Sequence, residues 1–449
     1  MPQRVIVEAL GALIEIDATA RSAASFAAIQ AAWAESSTHR APADATVVVT
    51  AEHDDDVMLS QLSTDVTLAA LAHRKGELWM LHAAGLADER GHTIALVAPS
   101  GTGKTTAARV LSRELAYVSD ETVGIDPQGG VVAYRKPLSI IESASAPKAQ
   151  VSTAALPRVS WWSSALRLSK VAVLDRDPDG PELAEATPLA LADALELLGP
   201  QTSYLCDLRG GLRVVAALLE ATGGAVRIRY REAETLLPVV RELLDAEPPQ
   251  LPLNPAPRTL HEPRASSGEG GDRYYHAPVV DELALDDGRT ALLRRGASGG
   301  QLRVLDGVGP AIWQATAAGG RFDEIHTHVI AVHGEPEGVD TQAVLQEALA
   351  ALVRDGDLAH ERAWCLHDDV AWVEEAGRTT VLALNEGQPL ALEGPSHSIW
   401  QVLSAETAMA ESVLVRQLAE QYGEDAAAIR DDVVDFLMTM SRRGLIGLA

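Results

Sequence analysis

Apolar and polar positions change period several times along the chain, and each change marks an element. Val5, Val7 and Ala9 alternate with polar neighbours, and Leu13, Ile14 and Ile16 follow after Gly11, which predicts strands within residues 4–17. Residues 24–33 read as a helix and Thr-Val-Val-Val-Thr at 46–50 as a strand. Val57, Leu59, Leu62, Val66, Leu68 and Leu71 recur without proline or glycine, so 57–74 is predicted helical. Two short apolar runs follow, 78–81 ending in His82 and 94–98 ending at Pro99. From Lys104 onward Ala107, Ala108, Val110, Leu111 and Leu115 return to helical spacing. Further strands are expected at 116–119, with Asp120 and Glu121 at the C-terminal end, and at 129–141, 170–175 and 225–230. Helices are expected at 188–199 and 234–245. Strands alternating with helices imply a mostly parallel or mixed sheet.

Two stretches break this rhythm. Residues 145–166 are rich in Ser, Ala and Pro around Trp161-Trp162 and read as a loop or lid. Residues 247–271 run from a proline-rich half into a glycine-rich half, a linker with a stiff part and a flexible part. Beyond it the chain repeats itself. Gly288-Arg289-Thr290 followed by Ala311-Ile312-Trp313-Gln314 returns as Gly377-Arg378-Thr379 followed by Ser398-Ile399-Trp400-Gln401. The copies end in Asp355-Gly356-Asp357-Leu358 and Arg443-Gly444-Leu445-Ile446, so a unit of about three strands and three helices occurs twice. The expected organisation is an α/β lead-in at 1–56, an α/β domain at 57–246, the linker at 247–271, and repeats at 272–360 and 361–449.

The run 94–106, Ile-Ala-Leu-Val-Ala-Pro-Ser-Gly-Thr-Gly-Lys-Thr-Thr, is strand, glycine turn and helix, the context a phosphate-binding loop requires. Gly101 and Gly103 let backbone N–H groups turn inward, and the following helix offers its positive N-terminus. Pro99, Ser100, Gly101, Thr102, Gly103, Lys104, Thr105 and Thr106 are the expected ATP-binding residues. Lys104 would reach the β- and γ-phosphates, and Thr105 would offer its hydroxyl to Mg²⁺. Ala98 stands where such loops usually open with glycine. The plainer alternative is a tight turn with an exposed lysine. Arg135 and Lys136, on the next predicted strand, could neutralise phosphate charge. Asp175, ending the apolar run 171–174, is a rival second acid at a strand end, where ligands of α/β sheets bind.

Charge narrows the partners. In 449 residues, 63 acidic side chains against 37 basic ones leave a formal charge of −26, which repels nucleic acid and anionic membrane and favours a neutral or basic peptide. The two cysteines, Cys206 and Cys365, form no disulfide framework, and no run approaches the ~20 apolar residues that cross a bilayer. A cytoplasmic protein is expected. His326, His328 and His333 lack acids at ligand spacing and read as solvated or capping groups.

The order His82, phosphate loop, then a short strand ending in two acids resembles the HPr kinase/phosphorylase family over about residues 60–245. The Ser-Gly-Thr-Gly-Lys-Thr-Thr core is also similar to the loop of ATP-type phosphoenolpyruvate carboxykinases. The first resemblance implies that Asp120 is a general base near an acceptor hydroxyl, His82 its partner and Glu121, where the family has a second Asp, a Mg²⁺ ligand. The family's phosphorylase-associated motif has no match here, so phosphorolysis is not expected. The repeats resemble the PqqD-like family, small winged-helix domains that hold leader peptides of ribosomally made, enzyme-modified peptides. That resemblance implies binding by strand addition to a sheet edge. Trp313 and Trp400 are expected in the core. The fold expected is therefore α/β, an HPr kinase-like P-loop domain with a small α/β lead-in, followed by two winged-helix (α+β) domains. Function divides between an ATP-dependent kinase acting on a Ser or Thr hydroxyl of a precursor peptide and a nucleotide-binding scaffold presenting that peptide to other modifying enzymes. A small-molecule kinase would leave the repeats unused.

Overall fold

The computed structural model describes residues 3–50, 54–99, 102–140, 149–153, 156, 165–246, 273–296, 299–384 and 389–449. Ser100, Gly101, Trp161-Trp162 and the linker 247–271 lie outside the described residues. The chain divides into two compact units, residues 1–255 with 296–302, and residues 256–295 with 303–449.

The first unit opens with the antiparallel hairpin Arg4–Ala9 and Ala12–Asp17. Ser37–Thr38 extends it on one side and Ala45–Val48, running parallel, on the other. The helix Asp55–His73 buries Met58, Leu62, Val66 and Ala70 against this sheet, as its apolar spacing dictates. A second sheet is antiparallel throughout, in the order Val131–Val132, Val123–Ile125, Trp79–Leu81, Thr202–Ser203. The largest sheet runs Glu185–Pro188, Val226–Tyr230, Arg167–Arg176, His92–Val97, Ala83–Ala87, Ala116–Ser119. Its middle three strands pair in parallel and its flanks antiparallel, so the sheet is mixed. The middle strands bury Ile94, Leu96, Ala172, Leu174 and Ile228 in one core with the helices Lys104–Leu111 and Leu236–Asp245. Continuous apolar runs are what parallel strands covered on both faces require.

Three expectations are corrected. The run 78–81 is followed at once by a separate strand, Ala83–Ala87, in the other sheet, with His82 between them. Small residues carry no readable period, which hid it. At Gly85 even a Cβ would meet Val123 Cγ2 at 2.9 Å. The expected strand 129–141 is two short ones, Val131–Val132 and Leu138–Ile140, in different sheets, because Pro137 can donate no ladder hydrogen bond. A helix at Gly211–Ala221 has no counterpart in the sequence reading. The carbonyls of Thr222, Gly223 and Gly224 just beyond it all accept from the buried Lys170 ammonium, the last two at 3.3 Å.

Residues 273–359 and 363–448 have the same element order and strand pairing. In the first copy the meander Asp281–Ala284, Thr290–Gly296, Gly299–Leu305 is followed by helices Gly309–Thr316, Phe322–His333 and Thr341–Arg354. The opening strand Arg273–His276 pairs between Gly320–Arg321 and Leu358–Ala359. In the second, Val370–Glu375, Arg378–Ala383 and Leu390–Glu393 precede helices Pro395–Ser404, Glu411–Tyr422 and Ala426–Arg442. There Ala363–Leu366 pairs between Met409–Ala410 and Ile446–Leu448. Trp313 and Trp400 fill the two cores at equivalent places.

The copies are fastened differently. In the first, fully buried Asp357 meets Arg294 at 3.0 Å and Arg303 at 2.9 Å. Burial pushes its carboxyl up while the two guanidinium groups pull it back. The matching position in the second copy is Leu445, packed in the apolar core. Both cysteines are free and buried, and among the described residues no helix is long and apolar enough to cross a membrane.

Trp372 lies 44% exposed on the edge strand Val370–Glu375, edge-on to fully buried Trp400 at 6.2 Å. Trp400→Ala is expected to cost ~3–5 kcal/mol, read as lost amide-exchange protection across 363–448. Trp372→Ala is expected to cost about 1 kcal/mol or less. Equal losses would overturn this division of the two indoles.

Candidate functional site

Two chain crossings between sheets build the site. His82 links Trp79–Leu81 in the antiparallel sheet to Ala83–Ala87 in the mixed sheet, and 120–122 link Ala116–Ser119 in the mixed sheet to Val123–Ile125 in the antiparallel one. The crossings lie side by side, since the Ala83 amide donates to the Glu121 carbonyl at 3.1 Å. Ala83 also registers with Val97, the last residue of the strand entering the phosphate loop. One end of the mixed sheet thus gathers His82, Asp120, Glu121 and the loop. Asp175 belongs to that end too, two residues past the Val173–Val97 register pair.

Within the loop, the Thr102 hydroxyl donates to the Pro99 carbonyl at 2.6 Å. Gly103 turns the chain into the helix at φ 104°, a backbone that side-chain-bearing residues rarely adopt. Lys104 is buried, and its ammonium donates to the carbonyls of Ala98 and, at 3.2 Å, Pro99. Thr105 is half-buried and Thr106 exposed on the first helical turn. Lys104, the Thr105 hydroxyl and the helix N-terminus are the donor types a phosphate chain needs.

The acids are already partnered. Lys136, 1% exposed, sits 2.9 Å from Glu121 Oε2 and 3.5 Å from Asp120 Oδ1, and donates to the Pro137 carbonyl and Ser139 Oγ. Burial opposes its charge, but the two carboxylates outweigh burial and raise its pKa above the ordinary lysine value. The Tyr117 hydroxyl donates to Asp120 Oδ1 at 2.8 Å. Burial and those carboxylates push that phenol well above its usual range. Glu121 keeps a third of its side chain in solvent, and Asp120 almost none. Burial first, and then the Lys104 ammonium, hold the His82 imidazole below its usual value against the pull of Glu121 and Asp120.

Of the two basic residues expected at the nucleotide, Lys136 joins the cluster as counter-ion to the acids, and Arg135 does not join it. The carboxylates influencing Arg135 are Glu35 and Glu8 of the N-terminal region, and its own carbonyl accepts from Ser36. Tyr117 and Ser139 were missed by sequence reasoning. A tyrosine in a four-residue apolar strand three positions before an acid was the available signal for the first, and nothing local marked the second. His326 bonds Thr341 and His328 bonds Gln314. Among the described residues no group of three or more His, Cys, Asp or Glu is placed to hold a metal ion. Mg²⁺ usually takes one or two carboxylates with substrate phosphates, a smaller demand that Thr105 and Glu121 meet in donor chemistry.

Compared with known proteins, residues 378–446 match the PqqD family, coenzyme PQQ synthesis protein D. The match lies wholly within the second repeat. No curated protein matches the chain. Among solved structures the chain is similar to TbiB1 in complex with the TbiA(beta) leader peptide, at 21% identity over 18% of this chain and 93% of that one, TM-score 0.17. It is also similar to the HPr(Ser) kinase/phosphatase from Coxiella burnetii, at 10% identity over 37% of this chain and 93% of that one, TM-score 0.20. Likenesses this slight leave the function of the first unit to its own residues.

Lys136→Met would leave two neighbouring carboxylates with no cation between them, at an expected cost of ~3–5 kcal/mol in urea unfolding at pH 8. The sign with pH follows from the shifts. With its raised folded pKa, Lys136 contributes throughout the neutral range and loses that contribution only as pH climbs through the folded value. The loss in the variant is therefore expected to hold through the neutral range and to shrink only as pH rises through the folded lysine value. A pH-independent loss would refute the pairing.

Proposed function

We propose that this chain is an ATP-dependent kinase that phosphorylates a Ser or Thr hydroxyl of a ribosomally synthesised precursor peptide, whose leader is held by the C-terminal repeats. The observation that carries it is the convergence of Lys104, His82, Asp120 and Glu121 at the sheet end where the phosphate loop begins. Phosphoryl transfer demands positioning and charge stabilisation more than covalent chemistry, and these are positioning and charged groups. Pro99 to Thr106 wrap the phosphates and Lys104 carries their charge. Thr105 and Glu121 would hold Mg²⁺, which would supply further neutralisation. Asp120 with His82 takes the acceptor's proton, and Lys136 is the counter-ion of both acids.

The match to the PqqD family supports the peptide half of the proposal. The second repeat leaves Leu390–Glu393 at one edge of its meander and Val370–Glu375 at the other. An extended leader adds to such an edge through backbone hydrogen bonds, with pockets for alternate side chains. Holding the leader on the same chain raises the local concentration of the acceptor, so the kinase site itself need bind only weakly.

A second reading is favoured by one observation: the Lys104 ammonium rests on the Ala98 and Pro99 carbonyls and both acids are taken by Lys136. In that reading the loop binds nucleotide without transfer, and the chain presents its peptide to separate modifying enzymes.

Labelled ATP, Mg²⁺ and the short peptide encoded beside this chain separate the two. Label is expected in the peptide, abolished by Lys104→Ala and lowered at least ~10²-fold by Asp120→Asn, the usual scale for a general base. Tight peptide binding with no label transferred would establish the scaffold instead.

A further inference from the structure

The cluster opens onto a cleft of about 280 Å³ for which none of these roles accounts. Its lining comes from the helix Asp55–His73, from His82, Glu121 and Thr122, and from residues 200–203. No described residue of the phosphate loop lines it. Among the described lining residues there is no Lys or Arg, and Glu121, a third of whose side chain is exposed, is part of the lining, which disfavours an anionic occupant. The remaining lining mixes short polar groups, among them Thr64, Gln201 and Ser203, with the leucines Leu68 and Leu71. Leu68 is 55% exposed, a large apolar side chain left beside the opening. The volume falls just below the range of pockets for drug-sized ligands, about 300–1,000 Å³, and suits one or two side chains.

Of the ionisable groups in the site, the cleft reaches two, His82 and Glu121, whereas Asp120 is sealed behind Tyr117 and Lys136. We propose that this cleft is the acceptor subsite: it takes a short, neutral, extended peptide segment whose Ser or Thr hydroxyl lies against His82 and Glu121 while an apolar neighbour packs on Leu68. The proposal rests on the kinase reading and deepens it. In the transfer the acceptor oxygen bonds the γ-phosphorus, the bond from that phosphorus to the β–γ bridging oxygen breaks, and ADP leaves with the electron pair. The hydroxyl proton passes to the imidazole of His82, the member of the base pair that reaches the cleft.

The test uses the full chain with the peptides acetyl-Gly-Leu-Ser-Leu-Gly-amide and acetyl-Gly-Asp-Ser-Asp-Gly-amide, which lack any leader. Thr64 and Leu68 are exposed on their helix, so Thr64→Trp and Leu68→Glu should fold as the parent does, checked by thermal unfolding. The expected result has three parts. Both variants keep parental Mg·ATP binding by calorimetry. Both lose about tenfold or more in affinity for the neutral peptide and in kcat/KM for its phosphorylation. The parent discriminates against the acidic peptide by a similar factor. If the parent transfers phosphate and both variants match it, the subsite is overturned and the kinase reading stands. If the variants lose ATP binding instead, the cleft belongs to the nucleotide and the proposal falls. If the parent binds the neutral peptide, loses it on Thr64→Trp and transfers nothing, the kinase reading fails while the cleft remains a peptide site.

Discussion

The amide of Ala83 donating to the carbonyl of Glu121 is the contact on which the first unit depends. It zips together two places where the chain leaves one sheet for another, and a chain changing sheets exposes backbone and side chains that a continuous ladder would cover. His82, Asp120 and Glu121 occupy those places. Lys136 occupies a third, between Val131–Val132 of the antiparallel sheet and Leu138–Ile140 of a two-stranded ribbon. Buried polar side chains at such junctions need partners from distant sequence, and here they find one another.

That mutual satisfaction divides labour between the two buried lysines. Lys136 stands against both carboxylates, while the Lys104 ammonium donates to the loop carbonyls of Ala98 and Pro99.

What could be read from the sequence was local. Strand, glycine turn and helix around Lys104 are encoded in consecutive residues, as are the two acids ending a short apolar strand. The repeat announced itself through Gly-Arg-Thr and Ile-Trp-Gln because identical cores need identical landmarks, and both tryptophans lie in those cores. The strand Ala83–Ala87 stayed hidden because small residues fit either period. Which of Arg135 and Lys136 faces the acids could not be read either. Neighbours on an extended chain point to opposite sides, and only the fold decides which side holds the site. The tie of Tyr117 to Asp120 bridges a strand end and the crossing after it, a geometry that no local pattern signals.

The two repeats share a blueprint yet are fastened by unlike means at one matching position, Asp357 gripped by two arginines in the first and Leu445 in a greasy core in the second. Apolar cohesion weakens in the cold and tolerates acid, whereas a buried ion cluster depends on its members staying ionised. The twin modules therefore have separate breaking points. Conditions that loosen one copy can spare the other.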